Sequence, residues 1–152
     1  MNQPAQRLED LGYPIGDAPK ASGLYTPLVV SGSTAYLSGM VPLENGALKY
    51  SGKVPSQVSV DDATDAAALC AANLLRVIER DLGSLDKVKR VVKLTGFVNS
   101  DLDFTDQHVV MNGASKLIID VLGDAGAHAR SAVAMANLPL GSTVEVELIV
   151  EV

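Results

Sequence analysis

The stretch TVEVELIVEV, residues 143–152, decides how the fold is read. Thr143, Glu145, Glu147, Ile149 and Glu151 alternate with Val144, Val146, Leu148, Val150 and Val152. Successive side chains of an extended strand point to opposite faces, so this period of two predicts a strand with one apolar face and one mostly acidic face. Just upstream, Leu138-Pro139-Leu140-Gly141 reads as a turn and Arg130 to Asn137 as a strand, so the two strands are expected to pair as a hairpin.

Working back along the chain, the period changes. Over Ser59 to Leu82, Ala63, Ala67, Cys70, Leu74 and Val77 fall on one helical face. Ser59 with Asp62 forms a cap-like start, and Gly83 a stop. Asp103 to Leu122 reads as a second helix with Val110, Ala114, Leu117 and Val121 as its stripe, capped by Asp103 or Thr105; Gly113 inside it marks close packing or a bend. Lys87 to Val98 is a β-rich run between the helices. Tyr25 to Val30 and Thr34 to Leu37 flank Ser31-Gly32-Ser33 as a hairpin, and 41–53 is loop with room for a short strand. Residues 1–17 read as an N-terminal arm with one helical turn near Gln6 to Leu11, and 18–152 as a single domain. The order ββ(β)αβαββ predicts an α+β sandwich: a mixed sheet of about six strands with two helices packed on one face. The sheet's other face, half acidic and half apolar, would be left wet in a monomer and predicts a homo-oligomer.

Composition narrows the function classes. The chain has 152 residues, 47% of them hydrophobic, which is enough to fold one domain without staples. Its net charge of -6 repels phosphate backbones, and 4% aromatics with no Trp leaves little surface for stacking bases, so no nucleic-acid partner is expected. Lys87, Lys89, Arg90 and Lys93 read as a solvated strand face. One cysteine, Cys70, excludes an internal disulfide; with two histidines it makes a poor metal set, so no metal is expected. The first residues lack the apolar core of a secretory signal, and no apolar run is long enough for a bilayer. The expectation is a cytoplasmic protein with no membrane partner.

Three motifs carry a family resemblance. Ala129-Arg130-Ser131-Ala132-Val133, then Leu138-Pro139, then Val144-Glu145-Val146-Glu147, resemble the signature of the RidA/YjgF family. Tyr25 followed by Ser38-Gly39-Met40-Val41-Pro42 is similar to that family's Tyr and Ser-Gly-Gln-hydrophobic-Pro. Lys93 to Val98 with Asp101-Leu102-Asp103-Phe104 is similar to its strand and Asp-hydrophobic-x-x-Phe turn, one residue shorter. The extended N-terminal segment, the 43–58 loop and extra residues around Gln107 to Met111 mark a divergent, longer branch. The resemblance implies a chorismate-mutase-like fold, a homotrimer with ligand sites between subunits, and hydrolysis of reactive 2-enamino and 2-imino acids to 2-keto acids and ammonia, with no cofactor. A non-catalytic carboxylate binder and an endoribonuclease or translation inhibitor are the competing readings.

The resemblance also marks residues. Arg130 is the expected anchor for a substrate carboxylate, which a guanidinium grips with two parallel hydrogen bonds; the alternative is a structural ion pair with a local carboxylate. Glu145 is the expected water-positioning or proton-transfer group, the alternative being one more solvated acid. Tyr25, Ser38, Gly39, Met40, Asn112 and Ala132 are the expected substrate-binding positions, with His108 nearby. Gly39 is where backbone approaches the ligand. Ala132 stands where the family often has cysteine, and Met40 where it has glutamine. Both departures imply a larger or more apolar ligand, or weaker deamination. The hairpin register is not fixed by the sequence, so parity leaves open whether Arg130 and Glu145 share a face within one chain; on opposite faces they can still meet across a subunit boundary.

Overall fold

The computed structural model describes residues 1–16 and 18–152. Asp17, the last residue of the expected arm, lies outside them. A five-stranded mixed sheet carries the fold: β1 (Leu28–Ser31), β2 (Thr34–Met40), β5 (Arg90–Asn99), β6 (Ala129–Met135) and β7 (Val144–Glu151), in spatial order β1-β2-β7-β5-β6. A separate two-stranded hairpin, β3 (Leu43–Glu44) and β4 (Ala47–Leu48), occupies the segment read as loop. The large sheet thus has five strands rather than about six. Helices α2 (Val60–Leu82) and α3 (Gln107–Leu122) accompany a third, α1 (Gln3–Asp10), where one turn was expected.

The alternation that opened the reading is visible in β7. Val144, Val146, Leu148 and Val150 are buried beneath the helices, while Glu145, Glu147, Ile149 and Glu151 are half-buried on the other face. The expected hairpin with β6 does not form. β6 instead pairs in parallel with β5, Leu94 opposite Arg130 and Phe97 opposite Val133. β7 inserts between β2 and β5, antiparallel to both. Parallel neighbours need a long crossover, which α3 supplies between β5 and β6. The 136–143 segment then returns the chain past β5, turning through Leu140 and Gly141, both at positive φ.

Helix α2 begins and ends as its sequence predicts: the Ser59 side chain accepts from the Asp62 N–H, and Gly83 closes it. Helix α3 starts later than predicted, after Asp106, with no side-chain cap. Asp103 and Thr105 stay in the preceding loop because Phe104 N–H bonds back to Asp101 O in a turn. Gly113 marks close packing: a Cβ there would lie 2.1 Å from the backbone oxygen of Thr64 in α2. α1 packs on α3, with Ala5 and Leu8 buried and Arg7 Nη1 donating to Val121 O at 2.8 Å. Among the described residues no helix is long and apolar enough to cross a membrane.

Candidate functional site

The predicted site residues fall into two groups on opposite faces of the sheet. Arg130 aligns with Leu94 on β5 and, through it, with Leu148 on β7, both buried beneath the helices. Glu145 lies between the buried Val144 and Val146 and points the other way. β5 also separates their strands. Within one chain the two side chains therefore do not meet; the sequence left this open, and the β5–β6 and β5–β7 registers decide it.

The first group is built on α3. Arg130 Nη1 donates to Asn112 Oδ1 at 3.0 Å and to Ser115 Oγ at 3.2 Å, and Nη2 donates to His108 O at 3.2 Å. Positions 108, 112 and 115 are spaced to share one helical face, which is why a single arginine from β6 reaches all three. All three acceptors are neutral. Among the described residues Arg130 has no carboxylate partner, so the structural ion pair weighed as its alternative is absent. Among the described residues Nε–H and one Nη2–H have no protein partner. A half-buried guanidinium with neutral partners and two donors to spare has the hydrogen-bonding capacity that a bidentate carboxylate needs. Ala132 follows two residues along β6 on the same side and packs half-buried against the core.

The second group surrounds the β2–β7 junction. Leu37 pairs with Leu148 but Met40 with Val146, so Ser38-Gly39 carries the extra residue of a bulge. Bulges re-aim side chains beside sites, and this one brings the chain against Glu145. A Cβ on Gly39 would lie 2.9 Å from the Glu145 carboxyl carbon and 3.1 Å from Oε2. A larger residue there would have to push the Glu145 side chain aside. Glu145 accepts no side-chain or backbone hydrogen bond among the described residues, and burial, then the neighbouring Glu147, push its pKa up from the ordinary 4.5. A carboxyl raised this way holds its proton closer to neutrality, as a general acid or base must. Ser38 Oγ donates to Thr26 O at 2.7 Å, tying the bulge to the segment that presents Tyr25.

Tyr25, Ser38, Gly39 and Met40 line one shallow cleft of about 40 Å³. Met40 forms its floor from the core side, where it is 9% exposed. Ligand pockets usually occupy roughly 300–1,000 Å³, so this cleft is too small to enclose a ligand by itself. It adjoins a cavity of about 950 Å³ between the N-terminal segment and β3–β4, with Pro19, Lys20, Ser22, Val41 and Leu43 common to both. Nothing in the sequence reading pointed to that cavity, because its walls come from segments far apart in the chain. Ser115 and His128 were also missed. The 108/112/115 spacing is the signal that would have found Ser115. The Cys70 thiol is buried, and burial, then Glu145, push its pKa up, which leaves it inert.

Residues 5–152 match the family model described as "YjgF/chorismate_mutase-like, putative endoribonuclease". Over 148 residues the chain is 40% identical to protein TCP17 of Trypanosoma cruzi, covering 97% of this chain and 92% of that one. The crystal structure of protein Atu1372 from Agrobacterium tumefaciens superposes with a TM-score of 0.90 at 44% identity, covering 99% of this chain and 92% of that one. The crystal structure of E. coli TdcF with bound serine superposes with a TM-score of 0.65 at 26% identity, covering 89% and 93%.

Proposed function

The chain belongs to the YjgF/chorismate mutase-like family, and from that premise we propose that it hydrolyses reactive 2-enamino and 2-imino acids to 2-keto acids and ammonia. The observation that carries the reading is Arg130, fixed by three neutral acceptors with no carboxylate of its own. Its free Nε–H and Nη2–H take the substrate carboxylate. Serine bound to TdcF is a small amino acid of the same chemical kind. Asn112 holds the guanidinium in place, and Ala132 leaves room beside it.

Glu145, with its raised pKa, handles protons. Protonation of the enamine carbon gives the imine, water adds at the imine carbon, and the carbinolamine collapses with loss of ammonia. Such substrates are already activated, so orientation and proton transfer are sufficient and no cofactor enters. Tyr25, Ser38 and Gly39 wall the cleft over a Met40 floor. Because Arg130 and Glu145 lie on opposite faces, the reading requires two copies to complete one site, with Arg130 from one and the Glu145 cleft from the next. A homotrimer closes such a head-to-tail contact. The open face carries exposed Val29, Tyr36, Val133 and Met135 beside the acids of β7, which supports its burial between copies.

The test generates the enamine in situ from serine with a dehydratase and follows its decay with the wild type and Arg130→Ala. Acceleration by the wild type, lost in the variant, is the expected result. No acceleration by either, with carboxylate binding intact in the wild type, replaces the enzyme with a carboxylate binder. RNA cleavage that survives rigorous purification would favour the endoribonuclease description.

A further inference from the structure

Behind Arg130 lies a chain of hydrogen bonds that the proposed chemistry does not use. His128 Nδ1 is 2.6 Å from Gly126 O. A carbonyl oxygen only accepts, so Nδ1 carries the proton and, in the neutral ring, Nε2 is a bare acceptor. Nε2 lies 2.9 Å from Ser115 Oγ. The serine proton therefore points at His128, and the oxygen's lone pairs turn toward Arg130 Nη1, 3.2 Å away. Two half-buried side chains thus fix the direction of one hydroxyl, and that hydroxyl faces the guanidinium as an acceptor.

We propose that Ser115 and His128 are positioning residues for Arg130: the Gly126–His128–Ser115 relay holds Nη1 so that the Nε–Nη2 edge faces the carboxylate. This rests on the reading of Arg130 as the anchor. His128 and Arg130 are two residues apart, on the same side of an extended segment, which is why both reach Ser115. A serine bonded to a histidine oriented by a carbonyl also has the contacts of a nucleophile and its base. Here one of the oxygen's two lone pairs accepts from the Arg130 cation, which draws electron density from the oxygen and weakens it as a nucleophile. The relay is built to make Ser115 an acceptor. A residue held this way loses less freedom on binding, and that preorganisation appears in affinity for the charged ligand.

Pyruvate, a 2-keto acid product of the proposed reaction, and its neutral amide, pyruvamide, are titrated into the full-length protein by calorimetry. The set is wild type, Arg130→Ala, Ser115→Ala, Ser115→Thr, His128→Leu and His128→Gln. Ser115→Ala and His128→Leu are expected to weaken pyruvate about tenfold, the worth of one hydrogen bond to a charged group, and to leave pyruvamide unchanged. Ser115→Thr keeps the hydroxyl and His128→Gln an acceptor, so both should retain wild-type affinity. If Arg130→Ala abolishes pyruvate binding while Ser115→Ala and His128→Leu bind normally, the relay is refuted and the anchor stands. If Arg130→Ala binds pyruvate like the wild type, the anchor falls and the relay with it. Equal weakening of pyruvate and pyruvamide, or labelling of Ser115 by a fluorophosphonate, would also overturn the proposal.

Discussion

Replacing Gly113 by alanine tests the packing on which the Arg130 group stands. Sequence alone says the change should help: glycine inside a helix is about 1 kcal/mol worse than alanine. The structure reverses the sign. A Cβ at position 113 would sit 2.1 Å from Thr64 O, and 2.9 Å from both Thr64 C and Thr64 Cγ2. The oxygen belongs to the backbone of α2 and cannot rotate away, so α3 must withdraw by more than 1 Å. Overpacking of this kind costs roughly 1–3 kcal/mol and occasionally more, and a clash with backbone belongs at the top of that range. Against the propensity gain the net loss is about 2 kcal/mol, or roughly 4–8 °C in Tm for a chain of this size. Thermal melts at fixed protein concentration measure it. Asn112 and Ser115 flank the glycine, so pyruvate affinity should fall in the same variant. An unchanged or raised Tm would refute the argument that α2 and α3 are in backbone contact at this point.

Three further predictions follow from the same geometry. Gly39→Ala meets only the far end of a flexible side chain, the Glu145 carboxyl, so the fold should tolerate it, with Tm changed by about 2 °C or less, while enamine turnover falls; unchanged turnover would count against Glu145. Glu145→Gln should abolish turnover and raise Tm near pH 7.5, because a pKa raised in the folded state makes the protonated form the better-folded one. That advantage should vanish as the pH falls below the ordinary value of 4.5, where the carboxyl is protonated in both folded and unfolded chains. Ala132, Met40 and the adjoining cavity of about 950 Å³ predict that imines from larger apolar amino acids are hydrolysed at least as well as the three-carbon enamine from serine; a strict preference for the latter, read from kcat/KM across a panel, would contradict this.

Legibility from the sequence followed the range of the interactions. Helix α2 was readable end to end because its cap, its stripe and its stop are all local. Helix α3 was readable in type but not in its start, since the competing turn at Asp101 and Phe104 uses the same polar residues that cap helices. The β6–β7 hairpin was misjudged. Both segments alternate and a turn lies between them, yet β6 has a better partner in β5, reached through α3. Of the candidate site, Arg130 and Glu145 are marked by motif resemblance, whereas their opposite faces follow only from the strand registers. Ser115 and His128 escaped because a serine in a helix and a histidine before a strand have no meaning until the arginine that shares the serine is placed.

What the sequence by itself determined is the α+β class, the faces of β7 and α2, and the residue types available for gripping an acid. These depend on periodicity and side-chain chemistry, which are properties of neighbours in the chain. Only the tertiary structure decided the strand order β1-β2-β7-β5-β6, the bulge that sets Gly39 against Glu145, and the neutral cage that, among the described residues, leaves Arg130 without a carboxylate partner. The physical reason is that a charge's state depends on what surrounds it in space. Three acceptors and no carboxylate came to Arg130 because a parallel β5–α3–β6 crossover laid one face of α3 over the edge strand.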